Sequence, residues 1–165
     1  MGKLGILVAV LTGLGVGSVA HDQGNKREAF AYARQLHTGK GIINLGAGPH
    51  RTLLAKDIAN APEVVANIDI VPDGLPNFIV LNIETEILPF ADKQFDCAFM
   101  SHVLEHLYDW EFALYEAIRV ADHVVIALPH PLSLTGLLDP EHKQHFTVSD
   151  IKGIELTFPD VKIFY

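Results

Sequence analysis

From Lys26 onward, short nearly continuous apolar runs alternate with longer stretches in which apolar residues recur every three or four positions. The apolar runs are Ile42–Leu45, Val64–Ile70, Phe78–Leu81, Phe95–Met100 and Val124–Leu128, and they read as strands covered on both faces. Lys26–Thr38 carries Phe30, Ala33 and Leu36 at helical spacing, with Gly39 and Gly41 as its stop, and Thr52–Asn60 reads as a short helix ended by Ala61-Pro62. After the fourth strand the pattern predicts a broken helical region, Val103–Leu107 and then Trp110–Arg119. In the latter, Trp110, Leu114, Ala117 and Ile118 form a core-facing stripe. Thr147 followed by Asp150 predicts a capped helix through Ile154, and Val161–Tyr165 a last strand. Strands alternating with helices imply a doubly wound α/β fold on a mostly parallel sheet. One link departs from the scheme. Only Val71–Asn77 joins the second and third strands, too little for a helical crossover, so that link is a bare loop or the third strand is an edge fragment.

The chain has 165 residues, enough for one domain with a full core, expected over residues 21–165. Residues 1–20 are set apart, because Leu4–Ala20 is uncharged and nearly all apolar or glycine. That length is near the minimum for a bilayer span, roughly 17 to 25 residues. Three readings stay open: a membrane anchor first, a signal peptide ending in Ser18-Val19-Ala20 second, and a buried strand or helix third. The Gly13-Leu14-Gly15-Val16-Gly17 run inside it lacks the last glycine and the later acidic residue of a dinucleotide loop, so a small-residue membrane helix explains it better. The net charge of −8 and the lack of a basic cluster argue against an extended nucleic-acid surface. The single cysteine, Cys97, lies in an apolar run and reads as a buried thiol rather than part of a disulfide scaffold.

Chemistry concentrates where the first strand stops. Asn44-Leu45-Gly46-Ala47-Gly48-Pro49 turns from strand to helix, presenting backbone N–H groups while the glycines keep side chains out of a ligand's way. Asp69 ends the second strand, where it is suited to accept two ribose hydroxyls, and Ile70 follows it. Glu84, past the third strand, is the next acidic group along the same edge and is suited to accept from an adenine amino group. Each has an ordinary alternative: an empty glycine turn, a solvated aspartate, and a surface charge beside Glu86.

The segments Asn44–Gly48, Asn67-Ile68-Asp69, Glu84–Phe90, Phe95–Phe99 and Ser101–Leu107 fall in an order that resembles class I S-adenosylmethionine-dependent methyltransferases, most closely the small type-11 domains. The resemblance runs from about Gly41 to Leu128 and implies a Rossmann-like core with S-adenosylmethionine as cofactor. Carried onto this chain, it implies that Gly46 and Gly48, flanked by Asn44 and Ala47, face the methionine part, and that Asp69 with Ile70 meets the ribose. It further implies that Glu84 meets the adenine and that Ser101-His102 forms the wall after the fourth strand. Three features depart from the family pattern. Asn44 stands where Asp or Glu is usual, His50 stands where a third glycine is usual, and the family sheet continues through two more strands, one antiparallel. The sheet here is expected to stop after its fifth or sixth strand. Two functions follow: methyl transfer to a small-molecule, lipid or protein acceptor by a cytoplasmic domain anchored through residues 4–20, or a non-catalytic nucleoside-binding descendant.

A third function competes. His102-Val103-Leu104-Glu105-His106 matches the H-x-x-E-H pattern of inverted zinc peptidases, which needs both imidazoles on one helix face and a third ligand downstream. It ranks last, and no metal ligand is assigned. Six of the nine histidines lie between His102 and His145, with His130, His142 and His145 in the loops after the fifth strand. Methyl transfer to a good nucleophile needs positioning and desolvation above all, so no catalytic base is assigned.

Overall fold

The computed structural model describes residues 21–48, 52–75, 77–133 and 139–165. Its elements are α1 (residues 21–35), β1 (Ile42–Leu45), α2 (Leu53–Ala59), β2 (Val64–Asp69), β3 (Phe78–Val80) and β4 (Phe95–Ser101). A single 3-10 turn (Leu104–His106), α3 (Trp110–Val120), β5 (Ala121–Ala127), α4 (Val148–Thr157) and β6 (Val161–Phe164) follow. The six strands form one sheet in the order β3-β2-β1-β4-β5-β6, and every pairing is parallel.

Alternation along the strands sorts the core into two layers. Ile42, Cys97, Phe99, Val125 and Ala127 face α1 and α2, packing on Ala29, Phe30, Ala33 and Ile58, with Phe30 edge-on to Phe99 at 5.2 Å. Ile43, Leu45, Ala98, Met100, Val124 and Ile126 face α3 and α4, meeting Leu114, Ala117, Ile151 and Ile154. The expected stripe is therefore core packing. Leu114 and Ala117 are fully covered, while Trp110 and Ile118 pack partly buried against them. Burial pushes the Cys97 thiol up to about 12, so it stays a neutral core group.

Several expectations shift at element ends. Among the described residues the first helix covers 21–35, and it ends before the expected Thr38 because the chain leaves it to wrap a carboxylate. Asp96 Oδ2, at the start of β4, accepts from the backbone N–H groups of Thr38, Gly39, Lys40 and Gly41, and Oδ1 takes the Thr38 hydroxyl. Burial opposes the charge on Asp96, yet these donors hold its carboxyl well below the usual range. Strand β5 begins at Ala121, since α3 runs straight into it without a loop. Among its described residues the link between β2 and β3 holds no helix, and β3 is also the edge fragment, three residues long and parallel to β2. Thr147 and Asp150 form a full capping box, and α4 continues past Gly153 to Thr157. Among the described residues the sheet gains one strand after β5, and β6 pairs with it parallel. No helix among the described residues is long and apolar enough to cross a membrane. The anchor proposed for Leu4–Ala20, like His50, lies outside the described residues.

Candidate cofactor edge and the cluster beside it

Parallel strands put their carboxyl ends on one edge, so the residues singled out by sequence assemble there. The chain winds outward from β1 to β3 and returns to β4 on the other side of β1. The crevice above β1 and β4 is therefore the topological switch point, where ligands of doubly wound sheets bind.

The turn after β1 is built by its glycines. Gly46 (φ 70°) and Gly48 (φ 69°) occupy left-handed backbone, and the N–H groups of Gly46 and Ala47 donate to the Ile68 carbonyl at 2.8 and 2.9 Å. A Cβ at Gly46 would lie 2.2 Å from Val103 Cγ2, whereas at Gly48 the nearest atom is 4.0 Å away. Gly46 thus makes room for Val103, and among the described residues nothing crowds a side chain at Gly48. Asp69 Oδ2 accepts the Gly48 N–H at 2.7 Å and Oδ1 the Val71 N–H at 2.9 Å. Each oxygen keeps a further lone-pair direction, as an ionised carboxylate offers about four acceptor sites. Ile70 beside it is 61% exposed and lies along the same rim. An uncrowded Gly48 and an edge carboxylate with acceptor capacity fit the sugar of a nucleoside.

Two residues face other partners. Buried Asn44 donates through Nδ2 to Asn67 Oδ1 at 2.9 Å, and Asn67 donates to the Ala59 carbonyl, so this amide pair ties β1 and β2 to the end of α2. Glu84 Oε1 accepts from the backbone N–H groups of Tyr108 and Asp109 at 2.6 and 2.8 Å, holding the entry to α3.

After β4, half-buried Ser101 precedes His102, which has φ 54° and donates its N–H to the Ala127 carbonyl. The expected helix at Val103–Leu107 is instead one 3-10 turn, because the positive φ at His102 breaks the chain direction first. His102 and His106 therefore do not share an α-helical face, and the inverted-peptidase geometry is absent at these residues. His102 Nδ1 lies 3.5 Å from Glu105 Oε1. Burial, with Lys26 nearby, lowers the imidazole to about 3, while burial raises the Glu105 carboxyl to about 8 against the pull of Lys26. At neutral pH the imidazole is neutral and the carboxyl largely protonated.

Sequence reasoning passed over the other members of this cluster. Helix α1 brings Asp22 and Lys26, one turn apart, over the carboxyl ends of β4 and β5. Burial raises the Asp22 carboxyl and lowers the Lys26 ammonium. Their i, i+4 spacing was the available signal, but it lay next to a segment read as separate from the fold. Beyond β5, a cavity of about 20 Å³, room for one water, is lined by Glu105, Leu128, His130, His142, Gln144 and Phe146 among others. It lies beside the glycine turn's edge, not over it.

Residues 38–123 match the family model described as a methyltransferase domain. No curated protein and no solved structure matches the chain.

Proposed function

The chain belongs to the class I S-adenosylmethionine-dependent methyltransferase domain family, and from that premise we propose that it binds S-adenosylmethionine at the β1–β2 edge and transfers the methyl group to an acceptor lodged past β4 and β5. One observation carries the reading: the Gly48 N–H meets the Asp69 carboxylate at the switch point, where no described residue crowds Gly48. The bound cofactor supplies an electrophilic methyl. Asp69 accepts ribose hydroxyls through its remaining lone pairs, and Gly46, Ala47 and Gly48 bring backbone close to the methionine part. Ile70 flanks Asp69 at the ribose, and Glu84 and the Ser101-His102 wall line the adenine side, with Asn44 behind the turn. His102, neutral and mostly covered, adds no positive charge beside a sulfonium cofactor, which leaves orientation and desolvation as the protein's contribution.

The acidic balance favours a small molecule, lipid or protein over bulk nucleic acid as acceptor. A cytosolic cofactor places the domain on the cytoplasmic side, and residues 4–20 would tether it there. A second reading, a nucleoside-binding domain without turnover, draws on the neutral Asn44–Asn67 pair, which gives the methionine ammonium no countercharge.

Calorimetric titration with S-adenosylmethionine and S-adenosylhomocysteine tests the first reading, and binding of both in the micromolar range is expected. Silence with both ligands removes it. Binding without any transfer of labelled methyl to cell-extract fractions selects the second reading.

A further inference from the structure

We propose that Glu105, His106 and His142 form a binding site for one divalent transition-metal ion of the zinc class. One ligand atom from each lies within 4.8 Å of the others. The set joins the 3-10 turn after β4 to the segment before α4.

Three independent features point the cluster at a ligand. Glu105 is 1% exposed, and neither carboxylate oxygen has a hydrogen-bond partner. A buried polar group without a partner is costly, and a metal ion that displaces the carboxyl proton would satisfy both oxygens of Glu105. Next, His106 Nδ1 lies 3.3 Å from the Glu141 carbonyl. A carbonyl only accepts, so Nδ1 carries the proton and Nε2 presents its lone pair, the arrangement by which backbone carbonyls orient metal-binding imidazoles. Finally, the two halves of the site are already fastened together. The N–H groups of Lys143 and Gln144 donate to the Glu105 carbonyl at 2.7 and 3.0 Å, and the His106 and His142 rings meet edge-on at 4.7 Å.

The donor chemistry selects the ion. Two imidazoles and one carboxylate suit zinc and its neighbours rather than magnesium or calcium, which prefer oxygen alone. Tetrahedral zinc holds its donors about 3.4 Å apart, a closure that side-chain rotation supplies. The adjoining cavity, lined by Glu105 and His142, admits one water as the fourth ligand. This set differs from the one the H-x-x-E-H pattern names. His102 drops out, His142 enters from a distant loop, and Glu105 serves as a ligand. The site stands beside the cofactor edge and does not depend on the methyl-transfer reading.

The test titrates full-length, chelator-treated protein with zinc chloride by calorimetry, with magnesium chloride alongside. One zinc per chain and no magnesium are expected, with affinity reduced at least about tenfold in His106→Ala and in His142→Ala, and unchanged in His123→Ala. Anomalous scattering at the zinc edge from wild-type crystals grown with zinc chloride should place the ion on Glu105, His106 and His142. That measurement decides the matter if a variant fails to fold. No stoichiometric zinc, an ion on other histidines, or equal affinity in His142→Ala overturns the proposal.

Discussion

The Asp69 carboxylate closes the glycine turn by accepting the Gly48 N–H at 2.7 Å, so the residue proposed to meet a ribose also shapes the loop beside it. Binding and loop geometry are coupled through one side chain. A ligand that takes Asp69's remaining lone pairs meets a turn already set in position.

Asp69→Ala is expected to act twice. Losing the bonds to Gly48 and Val71 should destabilise the fold by about 1–3 kcal/mol, and S-adenosylhomocysteine affinity should fall at least about tenfold. Asp69→Asn keeps an acceptor for one N–H and should retain most stability while still binding weakly. Denaturation and calorimetry on both variants check the split. Unchanged affinity in Asp69→Ala would falsify the ribose assignment.

Gly46 and Val103 should behave as a coupled pair. The 2.2 Å approach to Val103 Cγ2 and the left-handed backbone both penalise a side chain at 46. Gly46→Ala is expected to cost about 2–4 kcal/mol, of which roughly 1–2 kcal/mol is backbone. Val103→Ala alone removes buried methyls and destabilises too, but the double variant should be more stable than the sum predicts. A double-mutant cycle from urea melts reads the coupling, and strict additivity would show that the contact is not limiting.

Gly48 offers the complementary test, since its φ of 69° demands left-handed backbone while no described residue crowds it. Asn visits that region more readily than other residues. Gly48→Asn should therefore keep the melting transition within about 1 kcal/mol of wild type and abolish cofactor binding by filling the space above the turn. Binding at wild-type strength would place the ligand elsewhere.

Asp96 sets an acid limit on the fold. Its folded-state carboxyl titrates below the unfolded value, so its contribution is full above about pH 4 and is lost as pH falls towards the folded value. At pH 7, Asp96→Asn should cost about 2–4 kcal/mol, because an amide replaces a charged acceptor facing a row of donors. Thermal melts from pH 7 down to pH 3 should show the gap between wild type and variant narrowing at the acid end. A constant gap would mean that the charge is not what those N–H groups hold.

Most of the fold was legible because buried parallel strands are nearly continuous apolar runs, and Ile42–Leu45 is a strand over those same residues. The cap at Thr147 with Asp150 was readable because side chains carry it. What escaped depends on long-range contact. Asp96 draws residues 38–41 away from helical form across more than fifty positions, and no local pattern encodes that. The turn at His102 needs a positive φ that non-glycine residues seldom adopt, so helical spacing predicted a helix where the chain makes a single 3-10 turn. Asn44 and Glu84 sit on the predicted edge, yet their hydrogen bonds go to Asn67 and to the start of α3, partners that only the folded chain brings near. His142 reaches Glu105 and His106 from over thirty residues away, beyond any spacing rule.

The strand order has a kinetic consequence. β1 can pair with β2 across a short connection, but its other neighbour, β4, arrives only after a loop of about fifty residues closes, with Ile42 opposite Cys97. Closing such a loop is entropically expensive and slow, and until it happens β1 presents an unpaired parallel edge. Gly46 and Val103 lie on opposite sides of that closure. The two halves of the switch-point crevice therefore meet in the most non-local step of folding, and a chain stalled before it would hold strands and helices but no ligand edge.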